Sequence, residues 1–94
     1  MSLIEVTAFR LADGVDAAAF VRADHEVQTE VFNPRPGFLR RTTARADDGG
    51  WVVMTLWRSV QDADTALGSH PAIERFTELL DPATVDRRRY HPLD

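Results

Sequence analysis

The sequence predicts a single α+β domain in which two helical regions cover one face of a four-stranded antiparallel sheet. Segments with strand and helix patterns follow one another in the order β-α-β-β-α-β along 94 residues, which is about the length of one domain. A short connection rich in Asp and Gly separates the two middle strands and is typical of a hairpin. The third strand is apolar on both of its faces, so both faces need cover.

The first half of the chain predicts a strand followed by a helix. Residues 3–11 mix β-branched, aromatic and apolar side chains and stop at the turn-forming residues 12–14. Asp16 follows at a position where its carboxylate can accept hydrogen bonds from the free amides of a helical first turn. The helix runs to about Phe32, because the proline-containing segment 33–37 cannot continue it.

The second half predicts a hairpin, a split helix and a last strand. The hairpin has its strands over residues 38–46 and 51–58 and its turn over residues 47–50. Ser59 and Asp62 have the spacing of a capping box, and they predict a helix that runs to about Leu67. Residues 68–70 interrupt this helix, and Pro71 suits the first turn of a further helical segment.

The last predicted element is a more polar strand over residues 84–91, which follows the break at residues 81–82. The complete order is that of a ferredoxin-like domain, with its helices on one side of the sheet. We therefore expect one such domain over residues 1–94.

The pattern of the third strand also predicts a partner subunit. Its side chains alternate between the two faces of the sheet, and both sets are apolar. One set is Trp51, Val53 and Trp57, and the other is Val52, Met54 and Leu56. The helices of one domain cover only one face, so a second copy of the chain is the simplest cover for the other. The alternative is a central strand that carries incidental apolar residues on a solvated face.

Three short motifs give the chain a resemblance to a known family. Pro36-Gly37-Phe38 enters the second strand, Trp57-Arg58-Ser59 closes the third, and the segment from Ser69 to Ala72 splits the helix. In this spacing the chain resembles the antibiotic biosynthesis monooxygenase-like domains of the dimeric α/β-barrel superfamily. The resemblance implies a homodimer whose two sheets form a barrel, with a ligand cleft between each sheet and its helices.

The same resemblance implies several possible activities. Members of the superfamily include cofactor-independent oxygenases of aromatic polyketides, isomerases and haem-degrading enzymes. The haem-degrading branch uses an Asn on the first strand and a Trp and a His in the second helical region, and Thr7, Ala66 and Phe76 stand at the matching positions. All three differ, so we expect neither haem degradation nor a cofactor. A cofactor-independent monooxygenase, an isomerase, a non-catalytic ligand-binding or regulatory domain, and a structural partner of another enzyme stay open.

Asp24 and Gln28 are the candidate catalytic residues. Both fall within the apolar stripe of the first helix, which is formed by Ala17, Phe20, Val21, Val27, Val31 and Phe32. An unpartnered buried carboxylate costs several kcal/mol, roughly, so Asp24 needs a partner or a solvated cleft. Spaced i, i+4, the two side chains can meet, with Asp24 as a general base and Gln28 as an orienting group. The alternative is a buried polar network in which Asp24 pairs with Arg41 or Thr7.

Four further residues are candidates for binding a small apolar or aromatic molecule: Thr7, Phe9, Trp57 and Tyr90. Thr7 projects into the same cleft as Asp24 if the odd-numbered side of the first strand faces the helices, which the strand pattern alone leaves open. The three aromatic residues form a ligand pocket in one interpretation and ordinary core in the other.

Other classes of function are not predicted. The formal net charge of −4 opposes binding to nucleic acid or to an anionic membrane surface, and no apolar run is long enough to span a bilayer. The chain has no cysteine, and its three histidines lack the spacing of metal ligands, so we expect no metal. The sequence shows no signal peptide, and we expect a cytoplasmic protein.

Overall fold

Four strands form one antiparallel sheet with the helices packed on one side of it. The computed structural model describes residues 1–65 and 68–93. The strands are β1 (Leu3–Phe9), β2 (Phe38–Arg45), β3 (Trp51–Trp57) and β4 (Asp86–Tyr90). The helices are α1 (Ala17–Val27), which continues into a π-helical turn (Gln28–Phe32), α2 (Val60–Thr65) and α3 (Pro71–Glu78), and a 3-10 turn (Pro82–Thr84) precedes β4. The strands pair in the order β2-β3-β1-β4, which confirms the predicted ferredoxin-like fold.

All four strands are shorter than predicted, β2 and β3 by one residue, β1 by two and β4 by three. β1 ends at Phe9 because the next backbone amides bond to the connection between α3 and β4: Arg10 N donates to Thr84 Oγ1 at 2.9 Å and Ala12 N donates to Leu79 O at 2.9 Å. β4 begins two residues later than expected because residues 82–84 form the 3-10 turn, which Asp81 caps. The predicted end of the second helix at Leu67 lies outside the described residues.

The first helix begins as predicted, with Asp16 Oδ1 accepting a hydrogen bond from Ala18 N. Its second half differs from a regular α-helix, because the segment after Val27 forms a π-helical turn in which Asn33 N donates to Gln28 O. Phe20, Val27 and Val31 are buried as the apolar stripe predicted, but Val21 is 53% exposed. Val21 lies at the edge of the stripe, where the sheet no longer covers it.

The predicted split of the second helical region is confirmed by its two caps. Ser59 Oγ accepts from Asp62 N at 3.1 Å and donates to Asp62 Oδ2 at 2.9 Å, which starts α2. His70 caps α3, because its Nδ1 accepts from Ala72 N at 3.0 Å, and Pro71 occupies the first helical position.

The odd-numbered residues of β1 and β3 face the helices. Leu3, Phe9, Val53, Thr55 and Trp57 are all buried there. Trp57 and Leu3 pack with Ala63 of α2 at one end of the sheet, and Phe9 and Val53 pack with Phe20 of α1 at the other. Thr55 lies between these two clusters on β3, so a polar residue stands at the middle of the helix-covered face.

The even-numbered residues of β1, β3 and β4, together with Arg40, Thr42 and Ala44 of β2, form the other side of the sheet, which we call the open face. It carries Ile4, Val6, Ala8, Val52, Met54 and Leu56, with Tyr90 paired to Ile4 on the neighbouring strand. None of these residues belongs to the buried core of the described chain, and Met54 is 45% exposed. Along β1 and β3 the sheet therefore presents an apolar surface that its own helices do not cover, flanked by Arg40 on β2 and by Asp86 and Arg88 on β4.

The motif residues of the sequence meet at one joint between the hairpin and α2. Gly37 has a φ of +80°, and a β-carbon added to it would overlap the carboxyl group of Asp62. Gly37 O also accepts from Arg58 N at 2.8 Å, and Asp62 bonds to Ser59. Only glycine suits both the backbone conformation and the close approach, so these motifs specify how the strands and α2 fit together.

We predict that Gly37→Ala is more destabilising than Gly14→Ala. Gly14 has the same φ of +80° but open space around its α-carbon, so its substitution carries backbone strain alone, about 1 kcal/mol. Gly37→Ala adds the overlap with Asp62 and should lower the free energy of unfolding by roughly 2–4 kcal/mol. Urea denaturation of both variants measures the difference, and equal losses would contradict the role given to the joint.

Candidate functional site

A cavity of about 430 Å³ lies between the helices and the sheet. Its apolar walls come from both layers: Phe9, Val27, Phe32, Val53, Ile73 and Phe76. The sheet contributes its middle, where Thr55 separates the two core clusters, and α1, the π-helical turn and α3 contribute the opposite wall. A mostly apolar cavity of this size is typical of sites for small molecules.

The floor of the cavity is unusually polar for the covered face of a sheet. Strand register places Arg41, Thr55, Glu5 and Arg89 in one row across β2, β3, β1 and β4. Paired residues of neighbouring strands point to the same side, and all four line the cavity. Thr7 and Arg87 are paired in the adjacent row and line it as well.

Arg41 is the most deeply buried charge of this floor. Its side chain is only 2% exposed, and its Nη2 donates to Asp24 Oδ1 at 2.8 Å. The guanidinium carbon lies 5.0 Å from the ring centroid of Phe32 and 5.9 Å from that of Phe76, which is within the range of cation–π attraction. Its Nε is buried and has no hydrogen-bond partner in the described part of the chain.

Some of the other polar side chains on the cavity floor have hydrogen-bond partners, and others have none among the described residues. Glu5 is engaged, because Oε1 accepts from Trp57 Nε1 at 2.9 Å and Oε2 accepts from Arg89 Nε at 3.1 Å. Arg89 also donates to Asp64. The pKa of Arg89 is raised above its usual value, mainly because of this hydrogen bond and with a further contribution from Glu5, although burial acts in the opposite direction. By contrast, no described residue forms a hydrogen bond or an ion pair with the side chains of Thr7, Thr55 or Arg87.

Asp24 and Gln28, which were predicted to act together, bond to different partners. Asp24 faces inward as predicted, and its Oδ1 accepts from Arg41 and, at 2.9 Å, from Thr43. This is the polar network that the sequence offered as an alternative, with Arg41 as the partner. Gln28 begins the π-helical turn and donates through Nε2 to Asn33 Oδ1 at 2.7 Å. Neither Asp24 nor Gln28 is among the residues that line the cavity.

The four residues predicted to bind a ligand lie in three different parts of the domain. Thr7 and Phe9 line the cavity. Trp57 is fully buried in the core cluster with Leu3, and its indole Nε1 donates to Glu5 at the edge of the cavity floor. Tyr90 lies on the open face, opposite Ile4. Of the positions compared with haem-degrading enzymes, Thr7 and Phe76 line the cavity, and Ala66 lies outside the described residues.

Sequence reasoning missed Thr55 and Arg87 as lining residues. Thr55 carried a usable signal, because it is the one polar side chain between Val53 and Trp57 on the helix-facing side of the third strand. Arg87 carried none, since a run of three arginines on a polar strand is equally typical of a solvated edge.

Residues 1–65 and 68–93 contain no group of three or more His, Asp or Glu side chains arranged to hold a metal ion. No helix among them has the length and apolar character needed to cross a bilayer.

Comparison with known proteins identifies the fold. No family model matches the sequence, and the curated proteins contain no match to it. Solved structures do match: SnoaB, a cofactor-independent oxygenase from Streptomyces nogalater, is 19% identical with a TM-score of 0.83, covering 99% of this chain and 94% of that one. A proposed antibiotic biosynthesis monooxygenase from Chloroflexus aurantiacus is 18% identical with a TM-score of 0.77, covering 100% and 95%.

A further proposed antibiotic biosynthesis monooxygenase, from Caulobacter crescentus, is 15% identical with a TM-score of 0.83, and the match covers 99% of this chain and 91% of that one. The chain therefore has an antibiotic biosynthesis monooxygenase-like fold, as its sequence resemblance implied. At these identities the comparisons show the fold alone.

We predict that Asp24 and Arg41 are strongly coupled. Asp24→Ala leaves a buried guanidinium without its counter-ion and should lower the free energy of unfolding by about 3 kcal/mol. Adding Arg41→Met should recover much of this loss, because it removes the stranded charge. The control is Glu26→Ala, which breaks the exposed pair with Arg75 and should cost at most about 1 kcal/mol. Additive losses in the double variant would contradict the coupling.

Proposed function

We propose that this protein binds a small apolar or aromatic molecule in the cavity and oxidises it with molecular oxygen, without a bound cofactor. The observation that carries the proposal is the cavity itself, with aromatic walls and a floor of free hydrogen-bonding groups. Thr7 and Thr55 line the cavity, and their hydroxyl groups have no hydrogen-bond partner among the described residues. Such groups reduce stability in the empty protein, which is typical of a binding site.

The proposed reaction follows from the likeness to SnoaB, whose description is that of a cofactor-independent oxygenase. A methylene carbon held between aromatic rings loses two hydrogen atoms and gains one oxygen atom from O₂, and the second oxygen atom leaves as water. The protein's part is to bind the ring system between Phe32, Phe76 and the floor and to exclude bulk water. The catalytic roles predicted for Asp24 and Gln28 stay predictions, and the geometry favours a role for Asp24 in holding Arg41.

A second candidate is a non-catalytic ligand-binding or regulatory domain with the same site. The observation that favours it concerns proton transfer. The described lining residues include no histidine, and their one carboxylate, Glu5, is already bonded to Trp57 and Arg89. A cavity of this kind binds a ligand but offers no obvious general base.

We further propose that the protein is a homodimer in which two open faces pack together. The support is the apolar character of this face, with Met54 and Tyr90 each nearly half exposed on it. Contiguous apolar surface of this extent favours association in water. A two-fold pair brings the same patch of both copies into contact, so one surface suffices.

We predict that filling the cavity abolishes both binding and turnover. Anthrone, incubated with the protein and oxygen, should give anthraquinone faster than it does without protein. Ile73→Trp places a large side chain in the cavity wall and should slow the protein-dependent reaction at least tenfold, whereas Val21→Trp, on the exposed side of α1, should leave it unchanged. Product formation is followed by chromatography and oxygen uptake.

An equal rate in the Ile73→Trp variant would contradict the site. Binding of anthrone without any protein-dependent product would exclude the oxygenase activity on this substrate and favour the second candidate.

We predict that Met54→Asp converts the dimer into a monomer. The substitution places a charge at the centre of the proposed interface, where it would be desolvated without a partner. Val21→Asp is the matched control, because Val21 is similarly exposed but lies on α1. Light scattering after size exclusion should give twice the chain mass for the wild type and the control, and the single mass for Met54→Asp. A monomeric wild type at micromolar concentration would refute the interface.

A further inference from the structure

The edge strand β4 belongs to the cavity and to the open face at the same time. Arg87 and Arg89 lie on the helix-covered side of the sheet and line the cavity. Asp86, Arg88 and Tyr90 alternate with them along the strand and lie on the open face. A shift in the position of β4 therefore changes the cavity floor and the open face together.

In a single copy of the chain, β4 is held to the domain without burial of its own side chains. All five of its residues are exposed. The strand is attached by its backbone ladder to β1 and by the bonds from Arg89 to Glu5 and Asp64, while Asp86 and Arg88 pair with each other along the strand. Segments with little buried apolar contact open locally at a low cost in free energy.

Tyr90 extends the apolar surface of the open face onto β4. It is paired with Ile4 of β1, which is paired in turn with Leu56 of β3, so these three side chains form one row across the face. Tyr90 is 47% exposed, and Met54 in the neighbouring row is 45% exposed. A second copy of the chain that covers these rows would bury the Tyr90 ring, and β4 would then have an apolar side chain in a packed environment.

We propose that Tyr90 couples the dimer interface to the cavity, because burial of its ring by a second copy fixes β4 and, with it, the arginine side chains of the cavity floor. This inference rests on the proposed dimer and the proposed binding function, and it names how the site is regulated. Burying an aromatic side chain that is half exposed shifts a local opening equilibrium by about tenfold. Ligand binding and dimerisation then favour each other, since coupling between two sites is reciprocal.

Hydrogen exchange of the wild-type protein tests whether the second copy fixes β4. The monomer is obtained by dilution or as Met54→Asp, and light scattering establishes the state of each sample. The β4 amides that bond to β1 should exchange about tenfold more slowly in the dimer. The amides of α1, on the other side of the sheet, should exchange at the same rate in both states. Equal exchange of β4 in monomer and dimer would overturn the coupling and leave the dimer in place.

Two variants of matched exposure separate the role of Tyr90 from that of the interface as a whole. Tyr90→Ser and Met54→Ser each remove a side chain that is nearly half exposed on the open face, so both should weaken the dimer. At concentrations where each is dimeric, Tyr90→Ser should keep the fast β4 exchange of the monomer, whereas Met54→Ser and the conservative Tyr90→Leu should show the protection of the wild type. Full protection in Tyr90→Ser, or its loss in Met54→Ser, would overturn the role of Tyr90.

Binding of anthrone in the absence of oxygen tests the link to the cavity. Its affinity, measured by quenching of tryptophan fluorescence, should be about fivefold weaker for the Tyr90→Ser dimer than for the wild-type dimer, and within about twofold of the wild type for the Met54→Ser dimer. Saturating anthrone should in turn tighten the wild-type dimer and leave the Tyr90→Ser dimer unchanged. Equal affinities in all three dimers would overturn the coupling. Failure of the proposed dimer or of the proposed binding function is seen separately, because the wild type alone would then be monomeric or would not bind anthrone.

Discussion

The ion pair between Arg41 and Asp24 is the contact on which the covered side of the sheet depends. It joins β2 to α1 across the middle of the domain, and its guanidinium carbon lies 5.0 Å from the ring centroid of Phe32 and 5.9 Å from that of Phe76. Removing either partner would leave a buried charge unpaired, so the pair fixes how α1 packs on the sheet. Aromatic residues pack at both ends of the same side of the sheet, and Arg41, held by this pair, lines the cavity.

The fold followed from the sequence because its signals are local and mutually consistent. The caps at Asp16 and at Ser59 with Asp62, the hairpin turn and the breaks at the prolines all act within a few residues, and each formed as expected. The faces of the strands were harder to assign, since alternation states which residues share a side but not which side the helices take. That choice rests on packing between distant segments, such as Phe9 of β1 against Phe20 of α1.

The site was only partly predictable for the same reason. The inward position of Asp24 could be read from the helical period, and Arg41 was one of the partners considered. The backbone between Asp24 and Gln28 is regular, with Gln28 N donating to Asp24 O, but the two side chains bond to different partners. Asp24 pairs with Arg41, and Gln28, which begins the π-helical turn, bonds to Asn33 five residues further on. Trp57 and Tyr90 had suitable chemistry, yet one fills the core and the other lies on the open face.

The residues of the sequence motifs and the residues of the cavity have different roles in the structure. Gly37, Arg58, Ser59 and Asp62 meet at a joint where backbone conformation and close approach restrict the choice of residue, and none of them lines the cavity. A chain can therefore keep this joint, and with it the whole fold, while the residues of the floor change without affecting the motifs. The floor of the cavity depends instead on a row of side chains across four strands, in which Arg41 and Glu5 are already bonded and Thr55 has no partner among the described residues.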